Sequence, residues 1–384
     1  MVYLDHAAST PLLPEARSAM EPFLSEEFAN PSGMHAAARA SKSALEVARE
    51  VVAGTCGCEP REVVFTGGGS EADNLAVKGA AWAARDHRGA DGVVTSAIEH
   101  KAVLGACARL EREGFRVQEA PVHAGGTIDL DALAGLLDER TAVVSVMLVN
   151  NETGIVQPFA DVVDVVRSRA PHAVIHTDAV QGLPWLDLTE VTAGADLVAI
   201  SAHKVGGPKG VGALVVRGGV PLVPLVDGGG QEGELRAGTQ NVAGIVGLAA
   251  AALAAHRERV VDSTRIGALR DRLHDGLARA IPALAVNGDP SRRVPGILNC
   301  AFPGVEAESL LVALDQRAVY ASSGSACASG AIDPSHVLLA MGLTPDRARA
   351  SVRFSLGRTT TVDDIDVALG AVPSAVRQLL GAAA

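Results

Sequence analysis

Apolar positions follow two alternating periods along the 384-residue chain: short Val-, Ile- and Ala-rich runs, and longer stretches with helical spacing. That alternation is the pattern of repeated strand–helix–strand units. Helices are predicted over 15–24 and 35–53, separated by the turn Asn30-Pro31-Ser32-Gly33. Strands follow at 61–66, 92–96, 116–120, 142–149, 173–177, 197–201 and 212–216, with helices near 101–113, 130–137 and 160–168. The expected fold class is α/β, with a mostly parallel central sheet covered on both faces. A long helical region over 243–281 has a candidate break near 262–264. Beyond it, strands at 297–301 and 351–356 and helices near 307–316, 335–341 and 362–379 read as a smaller α+β unit. The expected division is a large domain over 15–255 and a small domain made of 1–14 plus 256–384.

Several predicted strands end in polar clusters. Val149 runs into Asn150-Asn151-Glu152, Thr177 into Asp178 with Gln181 close behind, and Ile200 into Ser201, His203 and Lys204. The strand after Gly92 adds Ser96 and Glu99-His100 at the same end. Ligands of open α/β sheets bind outside the carboxyl ends of the strands, so these clusters are expected to converge on one crevice. Gly67-Gly68-Gly69-Ser70 is a strand-to-helix turn with exposed amides and no obstructing side chains, a candidate phosphate cradle. Its spacing fits neither the dinucleotide fingerprint nor the Walker loop. Ser70 and Asp73 are spaced as a capping box for a helix starting near Glu71.

Composition narrows the chemistry. The chain has only five lysines, yet Lys204 and Lys209 both lie within Ser201–Gly210. Arginine cannot lose its proton in a protein, whereas a lysine amine can become a nucleophile, so Lys204 is the candidate covalent amine. Lys209 lacks polar neighbours of that kind and reads as structural. Acidic residues outnumber Lys plus Arg by 44 to 33, a net charge of -11. With no dense basic run, direct binding to nucleic-acid phosphates is not expected. No apolar run is long enough to span a bilayer, and the N-terminus lacks the charged and apolar regions of a secretory signal, so a cytoplasmic protein is expected. The five cysteines lack the spacing of a zinc site or a disulfide framework, and no metal site is expected. Cys327 stands in the small-residue run Ala321–Gly330, which reads as a mobile loop bearing a thiol. In Ser351-Val352-Arg353-Phe354-Ser355 the alternation places Arg353 with two serines, a possible carboxylate clamp.

Taken together, Tyr3-Leu4-Asp5, Asn30-Pro31-Ser32, Ser70-Glu71, Glu99-His100-Lys101, Asn150-Asn151-Glu152, His176 to Gln181, Ser201 to Gly210, Gly228 to Thr239, Ser322 to Cys327 and Arg353 to Arg358 resemble the NifS- and IscS-type cysteine desulfurases. These are class-V aminotransferases of fold type I that use pyridoxal 5'-phosphate. The resemblance implies a homodimer that converts L-cysteine to L-alanine and passes a Cys327 persulfide to a sulfur-acceptor protein. It implies Lys204 as the covalent anchor and proton carrier, Asp178 at the pyridine nitrogen, Gln181 at the ring hydroxyl and His100 as acid or base against the ring. It further implies that Gly69, Ser70, Ser201 and His203 hold the phosphate, with Thr239 reaching the partner's cofactor, and that Arg353 and Asn151 take the substrate carboxylate; Asn151 also borders the cofactor. The acceptor pathway would be iron–sulfur assembly, thiolation or, from Gly229 to Asn241, the DNA phosphorothioation served by DndA-type desulfurases. The chain ends soon after its last predicted helix, so a specialised acceptor is an expectation too. A selenocysteine lyase, an aminotransferase or a catalytically silent binding subunit are the alternatives.

Overall fold

The computed structural model describes residues 1–323 and 334–382. Its strands, in chain order, are β1 (Val2–Tyr3), β2 (Val63–Thr66), β3 (Gly92–Ser96), β4 (Arg116–Ala120), β5 (Thr141–Ser145), β6 (Val174–Asp178), β7 (Leu197–Ser201), β8 (Gly212–Val216), β9 (Ala285–Val286), β10 (Ile297–Ala301), β11 (Val319–Tyr320) and β12 (Ser351–Ser355). A seven-stranded sheet runs in the order β2-β8-β7-β6-β5-β3-β4. Within it β8 runs against the other six strands, and the pairings from β7 through β4 are all parallel. Every residue of β3, β5, β7 and β8 is buried, as expected of a sheet with helices on both faces.

The expected strand over 142–149 is shorter, ending at Ser145. Val146 and Leu148 still donate their amides to the carbonyls of His176 and Asp178, so the chain leaves the ladder while tethered to β6. That departure carries Asn151 towards the end of β6.

A second sheet, β12-β10-β9, is antiparallel, and β1 pairs in parallel with β11. The helix Val242–Ala280 links the two regions without a break. Ile245, Leu248 and Ala251 pack in the core against the main sheet, while Ile266, Leu269, Leu273 and Leu277 pack in the core containing Leu298 and Phe354. The expected break at 262–264 is therefore absent. Its polar residues face a seam instead: Arg358 pairs with Glu258 and, through Nε, with Asp262 at 3.2 Å, and Arg265 donates to the carbonyls of Arg358 at 2.7 Å and Thr360 at 2.8 Å. The predicted helix over 15–24 is split into Pro14–Met20 and Pro22–Ser25, because Pro22 has no amide to continue the ladder and fits a first helical turn. Among the described residues no helix is long and apolar enough to cross a membrane.

Candidate cofactor and substrate site

A cavity of about 510 Å³ opens at the carboxyl ends of β2, β3, β6 and β7 and is lined by Gly67 to Ser70, His100, Asp178, Ser201 and Lys204, among others. The polar strand ends thus converge as the chain pattern predicts.

One end is a glycine cradle. A Cβ on Gly69 would stand 2.8 Å from Val180 Cγ2 and 3.4 Å from the Ser201 side chain, so glycine keeps the approach open. Gly68, at φ 147°, adopts backbone that a side chain would strain. The helix starts at Gly69, passes through a π turn at Leu75–Gly79 and continues to Arg88. Glu71 steadies the turn by accepting from the Gly67 amide at 2.8 Å and from Arg236 Nε at 2.9 Å. The anticipated Ser70–Asp73 capping box does not form: Ser70 lies inside the helix, and Asp73 is buried with Oδ1 3.6 Å from His176 Nε2. Burial of the aspartate wins because β7, β8 and the helix Lys101–Arg112 pack against this helix and His176 of β6 reaches Asp73.

Ser201 ends β7, and a single 3-10 turn, Ala202–Lys204, follows it. His203 lies with Nδ1 3.3 Å from Ser9 Oγ, and burial pushes its pKa down to about 4, which leaves it neutral at pH 7. Lys204 Nζ donates to the carbonyls of Ala7 at 2.6 Å and Ala8 at 2.9 Å, fixing the amine at the cavity wall. Gln181 Nε2 also donates to the Ala7 carbonyl, at 2.8 Å. Lys209, read as structural from sequence, is an exposed residue of the same lining.

The opposite end is acidic. Asp178 accepts from the Val180 amide at 2.9 Å. Burial raises its pKa, while His100, that amide and Lys204 pull it down. His100 caps the helix Lys101–Arg112 through Nδ1, which accepts from the Ala102 amide at 3.2 Å. Burial lowers the His100 pKa, so the neutral ring carries its proton on Nε2.

Arg353 closes the cavity from β12. The strand is buried at every position rather than presenting a solvated face. Arg353 donates from Nη1 to the Asn151 carbonyl at 2.9 Å and from Nη2 to Asp5 Oδ1 at 2.7 Å, and its Nε has no partner among the described residues. Asn151 lines the cavity; Asn150 and Glu152 support it from behind. Asn150 Oδ1 accepts from the amides of Glu152 at 3.0 Å and Thr153 at 2.9 Å, and Glu152 accepts from Ser335 Oγ at 2.6 Å. Thr239 is exposed and not part of the lining, and Cys327 lies outside the described residues. Asp5 and Asp73 were not recognised as site residues. Tyr3-Leu4-Asp5 did carry a family signal, whereas nothing local distinguished Asp73 from a helix cap.

Residues 2–368 match the family described as aminotransferase class V. The chain belongs to that family. A class-V relative, cysteine desulfurase IscS of Clostridium botulinum, is 41% identical over 379 residues, covering 98% of this chain and 94% of its own. A solved NifS-like protein superposes with a TM-score of 0.92 at 34% identity, covering 98% of this chain and 99% of its own. DndA from Streptomyces lividans superposes with a TM-score of 0.78 at 39% identity, covering 92% and 99%. These relatives place the chain among the cysteine desulfurases of the family, and the seven-stranded α/β architecture is that of the expected fold type I. Family members use pyridoxal 5'-phosphate, and the cavity fits it: a cradle that a Cβ would fill for the phosphate, a buried carboxylate for the ring nitrogen, and a lysine amine in the wall.

Proposed function

We propose that this chain is a pyridoxal-phosphate-dependent cysteine desulfurase that converts L-cysteine to L-alanine and carries the released sulfur as a persulfide on Cys327. The observation that supports it best is the gathering of Lys204, Asp178, His100 and Arg353 around one cavity from four separate parts of the chain. Bound at Lys204, the cofactor supplies an electron sink for the bonds at the substrate α-carbon. Gly69, Ser70, Ser201 and His203 hold the phosphate, Gln181 the ring hydroxyl, and Asp178 keeps a proton on the ring nitrogen. Asn151 borders the cofactor and, with Arg353, orients the substrate carboxylate. Lys204 moves protons at the substrate carbons, and His100 has Nε2 available as acid or base because Nδ1 is committed to Ala102.

Sulfur transfer requires a thiolate. The Cys327 thiolate attacks the substrate sulfur; an S–S bond forms, the C–S bond breaks with its electron pair left on carbon, and a proton there completes alanine. No outside oxidant or reductant is needed. The four described cysteines are poor candidates, since burial pushes Cys56 up to about 11 and Cys58, Cys107 and Cys300 up to about 12.

The same reading makes the enzyme a homodimer, with Thr239 reaching the partner's cofactor, and divides it into a large domain over 15–255 and a small one over 1–14 plus 256–384. It places the enzyme in the cytoplasm, where a catalytic thiol stays reduced. The persulfide passes to an acceptor protein of iron–sulfur assembly, thiolation or DNA phosphorothioation, the last supported by the likeness to DndA. The test is spectroscopic. The purified chain should be yellow with bound pyridoxal 5'-phosphate, and Lys204→Ala should abolish the band of the lysine-bound cofactor; a chain that takes up no cofactor contradicts the reading.

A further inference from the structure

Asp73 is a buried acid to which the mechanism above gives no task. It sits one turn into the helix that forms the glycine cradle, 1% exposed, and lines the same cavity as Asp178. One oxygen of Asp73, one oxygen of Asp178 and one ring nitrogen of His100 lie within 4.8 Å of one another. Two buried carboxylates this close cannot both ionise cheaply, and the groups around them decide which one keeps its proton.

Those groups are distributed unequally. Asp178 accepts the Val180 amide at 2.9 Å and has His100 and Lys204 acting on it to favour its charge. Asp73 is faced by Glu99 and Asp178, both acids, by His100, and by His176. His176 gives no compensating charge. It is fully buried, its Nδ1 is 2.8 Å from Ser145 Oγ, and burial pushes its pKa down to about 3. Asp73 Oδ1 and His176 Nε2 stand 3.6 Å apart, and neither has a hydrogen-bond partner among the described residues. Burial pushes the Glu99 carboxyl up to about 8; its Oε2 has no partner among the described residues, while Oε1 accepts from Ser96 Oγ and the Met147 amide.

We infer that Asp73 is a positioning residue held as an uncharged carboxylic acid at the cavity floor, so that Asp178 carries the floor's negative charge alone. The inference rests on the cofactor reading for its purpose: a single carboxylate there faces the ring nitrogen. An ionised Asp73 would instead give the floor a second charge with no counterion of its own. The same asymmetry argues against a cation site at Asp73, His100 and Asp178, because a protonated acid is a poor ligand.

The proton on Asp73 makes a measurable difference to stability. Its folded pKa is raised above the unfolded value, so the stability it contributes is present at low pH and is lost as pH rises towards the folded pKa. Asp73→Asn keeps the shape and removes the titration. Thermal and urea unfolding of the full native chain and of Asp73→Asn, each with pyridoxal 5'-phosphate and stripped of it, should be compared from pH 6 to 9. The native-to-variant ratio of unfolding constants should rise with pH over the part of that range below the folded pKa of Asp73, by about tenfold per pH unit where only the folded state holds the proton. A ratio that is flat, or that falls with pH, overturns the inference. If Asp73→Asn does not fold, infrared spectra of the native chain carrying isotope-labelled aspartate decide instead: a neutral-acid carbonyl band at pH 7 supports the inference, and its absence overturns it. The stripped protein reports on Asp73 even if the native chain binds no cofactor, so failure of the cofactor reading is separable from failure of this one.

Discussion

Arg353→Lys tests the substrate end of the cavity. The guanidinium has five N–H donors. One is used on Asp5 at 2.7 Å and one on the Asn151 carbonyl at 2.9 Å, while Nε has no partner among the described residues, so donors remain for an incoming carboxylate. An ammonium has three donors on one atom; after Asp5 and Asn151 it has a single one left, and it cannot offer a planar fork. The variant therefore keeps the charge and loses one charge-assisted hydrogen bond to substrate, worth about 1.5–3 kcal/mol. At 1.4 kcal/mol per tenfold, kcat/KM for alanine formation should fall by about 10- to 140-fold. The side chain is only 3% exposed, so solvent cannot replace the lost contact. The assay is steady-state alanine release from L-cysteine, with the cofactor spectrum as a control and cysteine methyl ester as a substrate lacking the carboxylate charge. Selectivity for cysteine over its ester should shrink in parallel. A kcat/KM within about threefold of native, with selectivity intact, would refute the clamp, since a lost charge-assisted bond is worth at least tenfold.

Glu232 receives both terminal nitrogens of Arg49, at 2.8 and 2.9 Å, together with the Phe65 amide at 2.9 Å, and does so from φ 49° in the left-handed region. Glu232→Ala removes the two-pronged partner of a buried guanidinium that keeps Glu46 at 3.4 Å and the Val63 carbonyl at 2.6 Å, and should cost about 1.5–3 kcal/mol in urea unfolding, with partial recovery in the Arg49→Met/Glu232→Ala pair; a loss below about 1 kcal/mol contradicts the pairing. His6 is buried, with a pKa pushed down to about 4, whereas the unfolded residue titrates near 6.5. The unfolded chain therefore binds a proton that the folded one refuses, and His6 withdraws stability as pH falls from about 6.5 towards 4. His6→Gln should lose less stability than the native chain between pH 7 and 4.5; identical pH profiles would contradict that assignment.

Much of this architecture was legible because the burial pattern and the chain pattern coincide. Strands β3, β7, β8 and β10 are bounded as their apolar runs predict, and β4 keeps its predicted bounds although only Ala120 of it is buried. The misreadings come from tertiary contacts. The polar run 262–264 looks like a helix interruption until Arg358 supplies a partner for Asp262, and the Thr360 carbonyl one for the adjoining Arg265, from the other side of a seam. Asp73 has the spacing of a cap, and only the packing of β7 and β8 on its helix, with His176 arriving from β6, turns it into a buried acid. Lys204 stood out through lysine scarcity, and Asp178, Gln181 and Ser201 through their positions at strand ends, which a parallel sheet must bring to one edge. Asp5 gave no such signal, since its role depends on Arg353 arriving from the opposite end of the chain.

The central claim is that sulfur leaves L-cysteine on a thiol of this chain, and intact-mass analysis of the cofactor-loaded protein tests it most directly. After brief exposure to L-cysteine without an acceptor, the native chain should gain the mass of one sulfur atom, located on the peptide containing Cys327 and removed by a thiol reductant, with an equal amount of alanine released. Cys327→Ala should gain none and release no alanine beyond background. A sulfur adduct on a different cysteine, or normal alanine release from Cys327→Ala, would contradict the account.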